Sequence, residues 1–246
     1  LRFRDEDGKP LLDKILDVAG QKGTGKWSAI AAMDENDPLT LITEAVYARL
    51  LSALYPERIK AASLYSGKLK VESGKLSDNA QLSIEDVRQA LYAAKLISYA
   101  QGFSLLRHAS EHYGWDLDYG TIARIWRKGC IIRSVFLQKI TEAYRKDPDL
   151  ENLLFDDFFH TKIQEALPAW RRVVAEGALS GVALPAMSSA LNYFDGLRTL
   201  YSAANMIQAQ RDYFGAHTYE RTDRERGHFF HTNWTGEGGN TVSGTY

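Results

Sequence analysis

The sequence predicts an all-α protein, with one large multi-helix domain followed by an extended C-terminal tail. Apolar residues recur at helical spacing through most of the 246 residues, which is the pattern of amphipathic and buried helices. Gly and Pro interrupt this pattern where helices are expected to end, and no run of alternating β-branched residues indicates a sheet. Because 45% of the residues are hydrophobic, the chain can bury a sizeable core.

The first helix is predicted over residues 10–19, where Leu and Ile side chains fall on one helical face. Pro10 suits its first turn and Gly20 its C-terminal stop. A short connection follows, and a second helix is predicted to begin near Lys26. We expect the mostly apolar residues 39–54 to form a buried helix.

The longest helical pattern begins after Ser83, a favourable N-cap with acidic residues in the turn that follows, and it ends at Gly114. Before it, residues 66–82 are rich in Gly, Ser and Lys and are expected to form a surface loop. Pro148 and Pro168 are expected to interrupt the helical pattern further on. Further helices are predicted over residues 116–129, 134–146 and 151–179, and one or two long helices over 185–211.

Composition narrows the classes of partner. The net charge of −1 gives no argument for nucleic acid or an anionic membrane surface, and we expect neither. Cys130 is the only cysteine, which rules out an internal disulfide and a cysteine-based zinc site and fits a reducing cytosol. His228 and His231 lack an acidic or Cys partner at ligand spacing, so no metal is expected. With no signal peptide and no apolar run of the roughly 20 residues that span a bilayer, a cytoplasmic location is predicted.

Residues 22–26, KGTGK, have the composition of an anion-binding loop. Gly23 and Gly25 allow backbone N–H groups to converge, Thr24 adds a hydroxyl, the lysines add charge, and the next helix adds its positive end. The segment is not a Walker A loop, which has a longer spacing and follows a strand. The alternative is an ordinary Gly-containing connection with solvated lysines, and spacing alone favours it.

Several basic residues lie in or at the ends of predicted helices. Arg49 is expected to be buried in an apolar helix, where it needs a partner: either a salt bridge to Glu44 or Asp34, or a bidentate hold on a ligand phosphate or carboxylate. Arg211 and His217 follow a long helix, and cations at helix C-termini are common for dipole reasons alone. The same interpretation is favoured for the cations of residues 125–134, IWRKGCIIRS: Arg127, Lys128 and Arg133.

Two features concern organisation. Four residues recur at a constant offset: Tyr92, Ala94, Ala100 and Gln101 as Tyr201, Ala203, Ala209 and Gln210. If this echo is more than chance, the domain is a duplicated helical unit. The sequence also begins without Met, and we expect part of the natural chain to lie upstream.

The last 29 residues differ from the rest. We divide the chain into a helical domain, residues 1–217, and a tail, residues 218–246, which is polar and rich in Gly and Thr but keeps Phe229, Phe230 and Trp234. Exposed apolar residues promote association. The tail therefore either packs on its own domain or docks into a partner subunit, which would make a homodimer with exchanged tails.

Five segments, in this order, resemble the C-terminal helical domain of decarboxylating 6-phosphogluconate dehydrogenases. They are AGQKGTGKW (19–27), ISYAQGF (97–103), IWRKGCIIRS (125–134), AQRDYFGAHTYER (209–221) and HTNW (231–234). The resemblance runs from about Asp7 to the last residue. The ending NTVSGTY is similar to the longer tails of some family members.

The resemblance implies an enzyme whose N-terminal Rossmann domain binds NADP. That domain is absent from this chain, as are the family's catalytic lysine and glutamate, so the chain alone is expected to be inactive. The implied reaction oxidises 6-phosphogluconate at C3 with NADP, releases CO₂ from the β-keto acid, and protonates the enediol to give ribulose 5-phosphate. The family's reaction needs no metal.

The resemblance also implies roles for five residues. Lys22, Thr24 and Arg49 correspond to residues that hold the 6-phosphate of the substrate. Arg211 and His217 correspond to residues that reach the substrate site of the other subunit of a homodimer. The alternative from a different class of protein is a free-standing helical module that dimerises or binds a sugar phosphate without catalysis.

Overall fold

The computed structural model describes residues 2–65, 82–127 and 136–236, and the chain divides into two compact units, Leu1–Phe194 and Asp195–Tyr246. The predicted surface loop, Lys128, Cys130, Arg133, the stop at Gly129 and the end of the tail lie outside the described residues. The helices are α1 Thr24–Asp34, α2 Thr40–Ala53, α3 Tyr55–Tyr65, α4 Ile84–Tyr113, α5 Tyr119–Ile125, α6 Leu137–Lys146, α7 Asp157–Leu179, α8 Pro185–Leu197 and α9 Ala204–Gly215. Short 3-10 helices lie at Leu11–Lys14 and Leu153–Phe155, and the strands are β1 Tyr219–Glu220 and β2 Phe229–Phe230. The predicted all-α class is confirmed.

The core of the first unit is built around α4, which packs along α7. Large side chains that are fully buried here include Phe103 on α4 and Phe159 and Trp170 on α7. The Trp170 indole donates to the carbonyl of Met187 at 3.2 Å, so its polar group is satisfied inside the core. Burial on this scale, rather than helix propensity, holds these helices in place.

Both predicted ends of α4 are confirmed. The Ser83 hydroxyl accepts from the backbone N–H of Asp86 at 3.0 Å, and the Asp86 carboxylate accepts from the backbone N–H of Ser83 at 2.9 Å. This reciprocal capping box satisfies two donors that the helix leaves without partners. At the other end Gly114 has a φ of +65°, the left-handed conformation that ends many helices.

The predicted helix over residues 10–19 is wrong beyond the 3-10 turn Leu11–Lys14. Contacts from later in the chain hold residues 15–19 in a non-helical conformation: Ala19 N–H donates to the Ser52 hydroxyl at 2.9 Å, and Arg58 forms an ion pair with Asp17. The apolar face that predicted a helix remains exposed, with Ile15 62% accessible.

The prediction that residues 39–54 are buried is largely wrong. Val46 is buried, but Leu51 on α2 is 61% exposed. One side of α2 packs on α1 and α4, and nothing among the described residues covers the other. The periodicity of a sequence indicates that a helix has an apolar face, but it does not indicate what packs against that face.

Two Pro residues and the α8–α9 region give mixed outcomes. Pro148 lies between helices as expected, but α7 runs through Pro168. The neighbouring Ala169 and Trp170 are buried, and this packing outweighs the lost backbone hydrogen bond. Residues 185–211 form two helices, as one of the two predicted options had it.

The second unit contains α9 and the antiparallel pair β1–β2, in which Tyr219 pairs with Phe230. Ala216 ends α9 with a φ of +51°. The sequence echo extends to local structure only in part. Ala100 and Gln101 and their counterparts Ala209 and Gln210 all lie inside helices, whereas Tyr92 lies inside α4 and Tyr201 precedes α9. Within the described ranges, no helix combines the length and apolar composition that crossing a bilayer requires.

Candidate functional site

The KGTGK segment forms the start of α1. Gly23 is the residue before the helix, with a φ of +97°, and its carbonyl accepts the first helical hydrogen bond from Trp27 N–H at 2.9 Å. The N–H groups of the first helical residues therefore have no acceptor within the helix, and no side chain caps this end. Lys22 and Thr24 are exposed beside it. A helix N-terminus with open N–H groups and a nearby lysine attracts anions.

Gly25 brings α1 close to α2. A Cβ atom at Gly25 would lie 2.9 Å from Cγ2 of Val46, a distance that side chains do not tolerate without a shift. The first turn of α1 is thus pressed against the middle of the helix that carries Arg49. This close approach is a physical reason for the second glycine of the segment.

Arg49 is exposed, contrary to the prediction. Its guanidinium donates to the carbonyl of Gly20, and no ion pair to Glu44 or Asp34 is found among the described residues. The side chain leaves the helix surface towards the loop rather than into the core. Since a guanidinium has five N–H donors, the bond to Gly20 leaves most of them for a ligand.

The first unit therefore brings three predicted site residues to one region. Arg49 contacts the carbonyl of Gly20. Lys22 comes two residues after Gly20, so the backbones of Gly20 and Lys22 are at most about 7 Å apart. Thr24 lies in the first turn of α1 directly afterwards. The cluster has two cations, one hydroxyl and the open end of a helix, which is the chemistry of a phosphate or carboxylate site.

The second unit brings Arg211 and His217 together. Both line one open groove at the end of α9, together with Ile207 and Phe214. Arg211 is exposed and donates to the Gln208 side chain at 2.9 Å. The chain turns back after α9, so that His217 N–H donates to the Arg211 carbonyl at 3.4 Å.

Gly215 makes room for the ring of His217. A Cβ atom at this position would come within 2.9 Å of the His217 ring. Gln208 also fixes this turn, because its side-chain amide donates to the carbonyls of His217 and Thr218 at 3.3 and 2.7 Å. An exposed guanidinium and a half-buried imidazole thus line the same groove.

Sequence reasoning missed two buried polar residues that support these groups. Gln101 accepts from Leu41 N–H at 3.0 Å and donates to the Thr40 hydroxyl at 2.8 Å, so it caps α2 from α4. Asp212 accepts from the backbone N–H of Thr232 and from two side chains of the tail. Gln101 belongs to the segment ISYAQGF, and the partners of Asp212 belong to HTNW, both of which resemble family motifs. No local pattern, however, shows which partners Gln101 and Asp212 bind.

The electrostatics of Asp212 are those of a buried but well-bonded carboxylate. Burial raises its pKa, while hydrogen bonds from His231, the Thr232 N–H and Trp234 lower it, and the pKa ends below its ordinary value. Asp212 is therefore ionised at neutral pH. In the part of the chain that the structure describes, no group of three His, Cys, Asp or Glu side chains is placed to share a metal ion.

A scan against protein-family models matches residues 1–234 to the C-terminal domain of 6-phosphogluconate dehydrogenase. The decarboxylating 6-phosphogluconate dehydrogenases of Rattus norvegicus and Aggregatibacter actinomycetemcomitans are 54% and 53% identical to this chain over 246 residues. The match covers all of this chain and 50% of each relative, so the chain spans about half the length of the curated relatives it matches.

A solved structure agrees with the sequence comparisons. It is that of Plasmodium falciparum 6-phosphogluconate dehydrogenase, described in its apo form and in complex with its cofactor NADP⁺ and with its substrate 6-phosphogluconate. It is 40% identical, with a TM-score of 0.83 over 94% of this chain and 49% of its own. The chain therefore belongs to the 6-phosphogluconate dehydrogenase family, whose C-terminal domain it matches.

Proposed function

We propose that this chain is the substrate-phosphate-binding and dimer-forming part of an NADP-dependent, decarboxylating 6-phosphogluconate dehydrogenase. The complete enzyme would convert 6-phosphogluconate to ribulose 5-phosphate and CO₂ and reduce NADP to NADPH. The observation that carries the proposal is the cluster of Lys22, Thr24 and Arg49 at the open start of α1, in a chain that belongs to this family. A cytoplasmic setting, supported by the single cysteine, is part of the same proposal.

The first cluster would hold the 6-phosphate. Lys22 contributes a point charge, the Thr24 hydroxyl and the open N–H groups of α1 contribute donors, and the planar guanidinium of Arg49 suits bidentate binding. These groups bind and orient the substrate far from the bonds that change. Binding energy at a remote phosphate aligns the reacting carbon and so contributes to the rate.

Arg211 and His217 would complete the site of the neighbouring subunit in a homodimer. Both line the groove at the end of α9, with Arg211 exposed and His217 half-buried, and this arrangement supports the role. The tail, residues 218–246, would dock into the partner. The exposure of large apolar side chains in this unit, with Phe214 82% and Phe229 64% accessible, supports a surface that is covered in the assembly.

NADP does not fit the described residues of this chain. A dinucleotide cradle needs a Gly-rich turn between a strand and a helix, whereas both strands described are two residues long and neither is followed by such a turn. The proposal therefore assigns NADP, and the proton-transferring lysine and glutamate of the family, to another part of a longer parent protein. This chain's residues bind and orient the substrate.

The first test is an assay of NADPH formation from 6-phosphogluconate by the full-length parent. We expect activity in the wild type and a strongly raised KM in Arg211→Ala and in Lys22→Ala, by roughly 10–100-fold for each lost charge-assisted contact. The matched control is Arg198→Ala, which removes an exposed cation of the same unit that lies outside both the groove and the tail. It should leave KM unchanged.

Mixed dimers test whether the site is shared. If Arg211→Ala and Lys22→Ala subunits pair at random, about half of the dimers are mixed and each has one complete site, so roughly a quarter of wild-type activity should return at low substrate. No recovery would contradict a shared site. A wild-type parent that makes no NADPH would overturn the proposed activity and favour a helical module that binds a sugar phosphate or dimerises without catalysis.

A further inference from the structure

We propose that Asp212 is a positioning residue, whose buried carboxylate fastens residues 231–234 to the last turn of α9 and thereby holds Arg211 and His217 in the arrangement that completes the substrate site. The inference rests on the proposed function of those two residues. It goes beyond that function by naming the group that sets the geometry of Arg211 and His217. Asp212 itself would not touch the substrate.

The Asp212 side chain is completely buried, although its neighbour Arg211 is exposed. Successive helical residues point about 100° apart, so one turn of α9 presents a cation outwards and an acid inwards. The carboxylate accepts from His231 Nδ1 at 2.8 Å, from Thr232 N–H at 3.0 Å and from Trp234 Nε1 at 2.8 Å. All three donors come from a single tetrapeptide.

These hydrogen bonds are the strong kind. An ionised acceptor roughly doubles the strength of a hydrogen bond, and a buried carboxylate that loses its donors is left with a large desolvation cost. The segment 231–234 therefore cannot leave Asp212 cheaply. A Leu or Met in place of Asp212 could fill the same buried space, but it could not accept the three hydrogen bonds that fix the position of residues 231–234.

The Asp212 contacts close a ring of structure around the turn that carries His217. From α9 the chain passes through the turn into β1, returns along β2, and reaches the segment that binds Asp212. The hydroxyls of Tyr219 and Thr232 are hydrogen bonded across this ring. Ala216 N–H donates to the backbone carbonyl of Asp212 at 2.9 Å, so Asp212 also takes part in the hydrogen bonding that ends α9.

The ring explains how a buried acid can affect a ligand that it does not contact. Breaking it at Asp212 frees one end of the β1–β2 pair, and with it the turn between Arg211 and His217. The two side chains then sample more conformations, and ordering them again on binding costs affinity. The loss falls on substrate binding and not on the binding of NADP.

The experiment measures KM for 6-phosphogluconate, KM for NADP and kcat in the full-length parent. Asp212→Asn should raise the substrate KM about tenfold, and Trp234→Phe, which removes one donor and keeps an aromatic ring, about threefold, with KM for NADP unchanged in both. Asp195→Asn is the control, because it weakens an exposed ion pair with Arg198 in the same unit. It should change neither KM.

A merely structural role predicts a different result. Loss of folded enzyme lowers kcat and the melting temperature but leaves the substrate KM of the remaining enzyme unchanged. Coupling gives a second readout: Asp212→Asn should raise KM by a smaller factor in an Arg211→Ala background than in the wild type, whereas independent effects multiply. If Asp212→Asn does not fold, Trp234→Phe decides by the same criteria.

The outcomes separate this inference from the proposed function. An active wild type whose Asp212 and Trp234 variants keep the wild-type substrate KM overturns the positioning role alone. An inactive wild type overturns the proposed function and, with it, this inference. A raised substrate KM at unchanged KM for NADP supports both.

Discussion

At the scale of single residues, the candidate phosphate site depends on backbone conformation as much as on charge. Gly23 adopts a φ of +97°, which places the open N–H groups of α1 beside Lys22. L-residues with a side chain rarely adopt this conformation. A Cβ atom there would meet only Trp27, at 3.7 Å, so the requirement for glycine is conformational and not steric crowding.

This argument predicts the effect of Gly23→Ala. The substitution should lower the free energy of unfolding by about 1–3 kcal/mol, the cost of holding a non-glycine residue in a sparsely populated conformation. It should also raise KM for 6-phosphogluconate in the parent enzyme, because relief of the strain reorients the start of α1. Denaturant unfolding and steady-state kinetics measure the two effects.

Gly20→Ala is the matched control for Gly23→Ala. Gly20 precedes the same loop, its φ lies outside the left-handed region, and its added Cβ would meet nothing within 4 Å. Its carbonyl, which accepts from Arg49, is kept. Equal stability and KM in the two variants would contradict a special requirement at Gly23.

The distance along the chain between a residue and its partners decides whether its contacts could be predicted. Lys22 and Thr24 belong to one short motif whose chemistry is visible in five letters of sequence. Arg49 binds a carbonyl 29 residues away, and Gln101 caps a helix through Leu41, 60 residues away. Asp212 depends on a tail 19–22 residues later. Such pairings are set by the fold and leave no local signature.

At the scale of elements, the same distinction separates α4 from the segment before α1. Ser83 and Gly114 end α4 through contacts within a few residues, so the sequence predicts both ends. Residues 10–19 have a helical pattern, but Ser52 and Arg58 hold them in a different conformation. Tertiary contacts override a short periodic pattern because helix propensity is weak.

The capping box of α4 predicts a pH dependence of stability. Hydrogen bonds from the Ser83 hydroxyl and backbone N–H, and the ion pair with Arg172, lower the pKa of Asp86 from 3.8 to about 2. A carboxyl with a depressed folded-state pKa stabilises the protein fully above its unfolded pKa, and this contribution is lost as the pH falls through the folded value. The window therefore runs from about pH 5 down to about pH 2.

Asp86→Asn should be less stable than the wild type at neutral pH, with a difference that shrinks as the pH falls through that window. Urea unfolding of the parent protein at a series of pH values measures it. Ser98→Ala, a neutral change on the same helix that removes a hydroxyl bond to the Lys95 carbonyl, is the control, and its offset from the wild type should not depend on pH. A constant offset for Asp86→Asn as well would refute the assignment.

At the scale of the whole molecule, each of the two units exposes large apolar side chains. Trp27, Leu51 and Phe214 are 66%, 61% and 82% accessible, and exposed faces of this kind mark interaction surfaces. The sequence predicted the class and the family from motifs and periodicity. It could not predict that α2 would be open, because burial depends on what lies against a helix and not on the helix alone.

The proposed docking of the tail makes the exposed Phe229 a test of the dimer. Phe229 is 64% accessible in its own unit, so replacing it should cost little stability there but much at an interface that buries the ring. Phe229→Asp should raise the dimer dissociation constant of the full-length parent by roughly 10–100-fold, the range of an interface hot spot.

Sedimentation velocity over a concentration series measures the dimer dissociation constant, and circular dichroism confirms the fold. Ser202→Asp, which adds the same charge at an exposed polar position of the same unit before the tail, should remain dimeric. If the two variants dimerise equally well, Phe229 lies outside the interface and the tail packs on its own subunit.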